Sequence, residues 1–134
     1  MSSSTYDIKY LDDLFSEAAE TERRLPAAIR KQKMVTWPEY LSDWKGYGWD
    51  DYTPRLSPAT TVQVDRFELA LDMGIKHMDA EDRKLVWLVC HSGAFNERGP
   101  RWTKLARAMG SERRIVKRRY DQAIIRLYYK LLHS

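Results

Sequence analysis

Apolar residues in this chain recur at intervals of three and four in several separate stretches, the period of helices that bury one face. Tyr6, Leu11, Leu14, Phe15, Ala18 and Leu25 predict a first helix, capped by Thr5 and running to about Arg24, with Pro26 just past its end. A short second piece, LPAAIRKQ at 25–32, carries Pro26 at a tolerated first-turn position. Ser57-Pro58 reads as the opening of a helix to about Lys76 that buries Val62, Phe67, Ala70, Leu71 and Ile75. Asp79, followed by Glu81 and Asp82, starts another, with acids at the positive end of the helix dipole. It continues through Leu85, Val86, Leu88 and Val89 to about Ser92–Gly93, and FNERGPR at 95–101 is a loop. The pattern predicts an all-α fold, a single small helical domain of about five to six helices. Within it, residues 1–56 form a helical and aromatic-rich segment and residues 57–134 a helical region, together one compact domain.

The last third is the most specific part. Arg101–Asp121 reads RWTKLARAMGSERRIVKRRYD. Leu105, Ala106 and Met109 give one helix an apolar stripe, and Gly110 stands where a helix ends in the left-handed conformation. Val116, Tyr120, Ala123, Leu127 and Leu131 then define the buried face of a second helix. Arg113, Arg114, Lys117 and Arg118 fall mostly off that face, at its exposed start. This is the pattern of a helix-turn-helix whose second helix enters the DNA major groove.

Charge sharpens that picture. The net charge of +4 hides an asymmetry: residues 97–134 hold 11 Lys/Arg against 3 Asp/Glu, a balance of +8, while residues 1–96 balance at −4. A basic end on an acidic body suits a protein with one surface for a polyanion. Hydrophobic content of 43% and charged content of 31% are those of a folded chain.

From Asp79 to about Leu127 the chain resembles the helix-turn-helix of region 4 of sigma-70-type factors and of related response regulators. Leu105-Ala106 occupy the place of the apolar-alanine pair, Gly110 follows that alanine by four residues, and Ile115-Val116-Lys117, Arg119 and Ala123 match the recognition-helix pattern. Asp79–Asp82, Arg83 and Val86-Trp87 resemble the preceding helix. The sequence departs from the pattern at Ser111 and Glu112, where an apolar residue and a small hydroxyl are usual, and in a longer connection at Gly93–Pro100. Ser111 keeps the capacity to cap the second helix, while Glu112 would stand near DNA phosphates and weaken contact there. The whole chain is also similar to a family of helix-turn-helix proteins from alphaproteobacteria and their phages, through ERRLP at 22–26, WPEY at 37–40 and Ser57-Pro58. That family brings no activity with it.

Catalysis has little to stand on. His77, His91 and His133 are scattered, and Cys90 is the only cysteine, which excludes an intrachain disulfide and a thiolate metal site. Cys90 and His91 are adjacent, so on a helix they point about 100° apart and form no nucleophile–base pair. Asp12-Asp13 and Asp50-Asp51 read as solvent-facing or capping acids. No cofactor is expected. No run of about eighteen apolar residues would cross a bilayer and no export signal opens the chain, so a cytoplasmic, nucleoid-associated protein is expected.

The expected function is sequence-specific binding of double-stranded DNA by a small bacterial or phage transcriptional regulator. Arg113, Arg114, Lys117 and Arg118 would read and clamp, and Lys104, Arg107, Arg98 and Arg101 would neutralise phosphates. The alternative is a protein-binding adaptor or phage assembly component working through Trp37, Tyr40, Trp44, Tyr47, Trp49 and Tyr52. RNA binding is a third reading, weakened because the dense aromatics and the dense basics lie in separate segments. A homodimer is the common solution for palindromic sites, with the first helix as a candidate interface.

Overall fold

The computed structural model describes residues 7–26, 29 and 57–133. Among them are five helices and no strands: α1 (Ile8–Arg24), α2 (Thr61–His77), α3 (Ala80–Gly93), α4 (Trp102–Met109) and α5 (Arg113–Leu132). The expectations for Thr5, Tyr6, the helical piece at 25–32 beyond Pro26 and the aromatic segment Trp37–Tyr52, with its Pro38 start, lie outside the described residues. No described helix is long and apolar enough to cross a membrane.

α3 is the central element. Leu85 to Ser92 are buried without interruption, as in a helix surrounded on all sides. α1 packs on α2, α3 and α5, while α5 also touches α2 and α4. Leu11, Leu14, Phe15, Ala18 and Leu25 are buried as the spacing predicts, and Ala19, Thr21 and Glu22 join them because α1 has neighbours on several sides. The apolar face of α1 is therefore used within the fold.

Two helix starts differ from expectation. α1 begins at Ile8, capped by Asp7, whose carboxylate accepts from the Tyr10 amide at 2.7 Å. α2 begins at Thr61 rather than at Pro58. Thr60 and Gln63 form a reciprocal capping box there, which satisfies two helix-end amides at once. Ser57 instead accepts from the Arg24 guanidinium through its carbonyl and hydroxyl, at 3.0 and 2.9 Å. Val62 (55%) and Ile75 (40%) are exposed on α2, against the predicted burial, while Phe67, Ala70 and Leu71 are buried. Asp79 caps α3 as predicted, accepting from the Asp82 amide at 2.8 Å.

Long-range polar contacts lock the helices together. Arg66 grips Glu17 through two hydrogen bonds at 2.6 and 2.7 Å, joining α2 to α1. Arg126 grips Asp82 at 2.9 and 2.8 Å, joining α5 to α3. Buried His91 lies 3.4 Å from buried Glu22, and its ring stands edge-on to Trp87. The Tyr120 hydroxyl donates to Asp12 and lies 3.7 Å from the Cys90 sulfur, so one small network ties α1, α3 and α5. Burial pushes the Cys90 thiol up to about 12, with the Tyr120 hydrogen bond and the Asp12 charge as smaller influences, which leaves it a protonated core group. Burial likewise raises Tyr120 well above the ordinary phenol range.

Candidate nucleic-acid interface

The basic surface is built from the loop after α3, from α4 and from the start of α5. The loop is held firmly. Gly93 is where it comes closest to α3, since a Cβ there would lie 2.9 Å from the Pro100 nitrogen. Phe95 takes a positive φ of 58°, and its amide donates to Glu20 at 3.0 Å. Arg24 lies over its ring, 5.2 Å from the centroid. The Arg101 amide donates to the Ser92 hydroxyl at 3.2 Å and its Nε to the Ser92 carbonyl at 3.1 Å, which fixes the entry into α4.

α4 is short and ends as the sequence predicts. Gly110 has φ 64° and ψ 37°, and its amide donates to the carbonyls of Ala106 and Arg107. The Ser111 amide donates back to the Ala106 carbonyl at 2.9 Å, completing a Schellman turn. Two residues later α5 begins. The packing between the pair is made by Leu105 and Val116, both fully buried, with Ala106 beside them. Trp102, half-buried at the start of α4, stands edge-on to Tyr120 with ring centroids 5.9 Å apart.

Neither start carries a side-chain cap. Arg101 precedes α4 and Glu112 precedes α5, and neither side chain bonds to the helix behind it. Ser111, an expected cap, does not fill this role. The first turn of α5 holds no acid and opens with Arg113 and Arg114. Positive charge at the positive end of a helix dipole is unfavourable until an anion arrives.

The structure brings five of the eight predicted residues together and sets the other three apart from them along α5. Arg98, Arg101, Lys104, Arg107 and Arg113 line one groove of about 660 Å³, with Trp102, Thr103 and Asn96 among them. Lys117 lines a separate hollow with Ile8, Lys9 and Asp12, and Arg114 and Arg118 are exposed along α5. Among the described residues, Arg114 pairs only loosely, with Glu112 at 3.6 Å and both side chains largely exposed. Thr103 was missed by reading charge alone. Its place in the uncapped first turn of α4 could have been inferred from the helix start.

Among the described residues no three His, Cys, Asp or Glu side chains are grouped to hold a metal ion. Among the described residues the geometry defines a small all-α fold with a concentrated cationic surface where α4 meets α5. The chain belongs to the family described as Domain of unknown function (DUF6362), which it matches over residues 23–127, from within α1 into α5. Neither the curated proteins nor the solved structures gave a match.

Proposed function

We propose that this protein binds double-stranded DNA in a sequence-specific manner, as a small bacterial or phage transcriptional regulator, with the start of α5 in the major groove. One observation carries the reading. The two helices that meet at the Gly110 turn both begin without side-chain caps, and five cations, Arg98, Arg101, Lys104, Arg107 and Arg113, line one groove beside those starts. Uncapped helix starts beside positive charge are unfavourable for the fold by itself, whereas a phosphate backbone would meet the open amides and the positive end of the helix dipole together.

In this mechanism Arg98, Arg101, Lys104 and Arg107 neutralise phosphates and set the register of the protein on the duplex. Arg113, Arg114, Lys117 and Arg118 approach base edges, where arginine is shaped for bidentate contact with guanine. Trp102 and the Cys90–Tyr120–Asp12 network hold α5 in place from behind. The resemblance of residues 79–127 to sigma-70 region 4 supports the same docking mode. The adaptor alternative draws on Trp37–Tyr52, outside the described residues, and no described feature favours it.

Replacing Arg114 and Lys117 together with Ala tests the reading. Both are exposed, so helicity should persist while duplex binding is lost. Affinity of the native chain should fall with salt with a log–log slope near about −5, if about five or six phosphates are neutralised. Normal binding by the double variant, or a slope shallower than about −2, would remove the basis of the proposal.

A further inference from the structure

α5 carries two stripes. The inner one, through Val116, Tyr120, Ala123 and Leu127, is buried. The outer one surfaces in the rear half of the helix, where Ile125 is 37% and Tyr129 54% exposed and Leu132 is half-buried. Gln122, Ile125, Tyr129 and Leu132 alternate by three and four, the spacing of a coiled-coil seam. At 100° per residue they fall within an arc of about 80° on the side away from Val116. Tyr128 flanks the seam with its ring edge-on to Tyr129. Ile125 extends it sideways into a hollow of about 770 Å³ shared with Ile8 and Ile124.

We propose that a second copy of α5, running antiparallel, covers this seam, so that the protein engages DNA as a two-fold dimer; the inference rests on the DNA reading above. Antiparallel seams set each three-step position against a four-step position of the partner. Ile125 then meets Tyr129 of the second copy, and Gln122 meets Leu132. The apolar contact of Ile125 with Tyr129 is thus made twice, once on each side of the two-fold axis. Arg126 would face its own counterpart on one flank, but each is already neutralised by its two hydrogen bonds to Asp82.

The same register places the DNA-facing ends correctly. The middle of Arg113–Arg118 lies about 11 residues before the centre of the seam, so the two fronts stand about 34 Å apart at 1.5 Å per residue. That is one turn of B-DNA, the separation of successive half-sites at about 34–36 Å. Arg113 and Lys117 lie on one flank of the seam, and Arg114 and Arg118 lie along its line, beyond the end of the partner helix. A two-fold axis passing between the helices keeps that flank of both copies on the same side, toward one duplex. The seam is short, so the free protein should associate weakly and the dimer should form fully on paired half-sites.

The test mixes full-length chains carrying Ile125→Cys with chains carrying Tyr129→Cys under mild oxidation. Cys90, buried and with its thiol held protonated, stays silent. The mixed 125–129 disulfide should exceed either like-with-like disulfide several-fold. Sedimentation should show mass rising with concentration for the native chain and not for Ile125→Glu, with unchanged helicity in both. On a duplex recovered by selection from random sequence, Ile125→Glu should bind one half-site with native affinity and lose cooperativity on two. A native chain that stays monomeric both free and on DNA, or a dominant 125–125 disulfide, overturns the seam. Cross-linking in register without any duplex binding would uphold the seam and sink the DNA reading instead.

Discussion

Helices α1, α2 and α3 each start with a side-chain cap, from Asp7, Thr60 and Asp79, whereas α4 and α5 start with none. The two regions also spend their arginines differently. In the body, Arg66 and Arg126 each hold a carboxylate by two short hydrogen bonds and staple one helix to another. At the α4–α5 surface, Arg98, Arg107 and Arg113 make no ion pair with a described residue, and Arg114 makes a loose one. A cap contributes about 1 kcal/mol, and a compensated dipole a further fraction. The body uses these contributions and the α4–α5 surface forgoes them. The contrast separates arginines that the fold uses from arginines that it leaves exposed.

The strongest way to break this contrast is to ask whether the two regions are one cooperative unit. Tyr120, Ile124 and Leu127 of α5 are buried together with α1 and α3, which predicts a single unfolding transition. Leu105→Ala, at the α4–α5 contact, should cost about 2–5 kcal/mol, and Phe67→Ala in α2 about 3–5 kcal/mol. Each should shift the entire transition, followed by circular dichroism and by tryptophan fluorescence. If Leu105→Ala produced an early, separate step, the basic pair would be a semi-independent module, and its missing caps would reflect low local stability.

The local devices of this fold were legible in the sequence, and the long-range ones were not. Asp79 as a cap, Gly110 in the left-handed region and the buried stripe through Val116, Tyr120 and Ala123 each follow from neighbours within a few residues. The cationic site was legible for the same reason, because its residues sit on one loop and two consecutive helices. The Glu22–His91 contact and the Cys90–Tyr120–Asp12 network join residues far apart in sequence, and no periodicity encodes them. Val62 and Ile75 show a related failure. Val62 lies five residues before Phe67 and so points about 140° away from it, and Ile75 falls about 80° from Phe67, at the edge of the buried face. The outer stripe of α5 escaped notice because only burial separates Ile125 from Ile124.

A smaller effect sharpens the contrast by reversing the charge at the start of α5. Arg113→Glu places an acid where the helix dipole favours one, at an exposed position. It should raise stability by about 0.3–1 kcal/mol at low salt. Duplex binding should fall sharply in the same variant. An increase in melting temperature joined to a loss of binding would mark Arg113 as a residue kept at a cost to the fold. A decrease in both would mean that Arg113 supports the packing of α5 and that its role is structural.

The smallest expected effect lies at Glu112, an acid beside the basic front. Its carboxylate stands 3.6 Å from the Arg114 guanidinium, and both side chains are mostly in solvent. An exposed pair of this kind contributes about 0.2–1 kcal/mol, and each 1.4 kcal/mol is tenfold in affinity. Glu112 also repels phosphates that approach the open end of α5, so both influences oppose DNA. Glu112→Gln removes the charge while keeping the length of the side chain. It should tighten duplex binding by about two- to fivefold at low salt, and the gain should shrink as salt screens the front. Titration of a fluorescent duplex at two salt concentrations measures this directly. Weaker binding by Glu112→Gln would reverse the assignment, making Glu112 a positioning residue that aims Arg114 at the duplex.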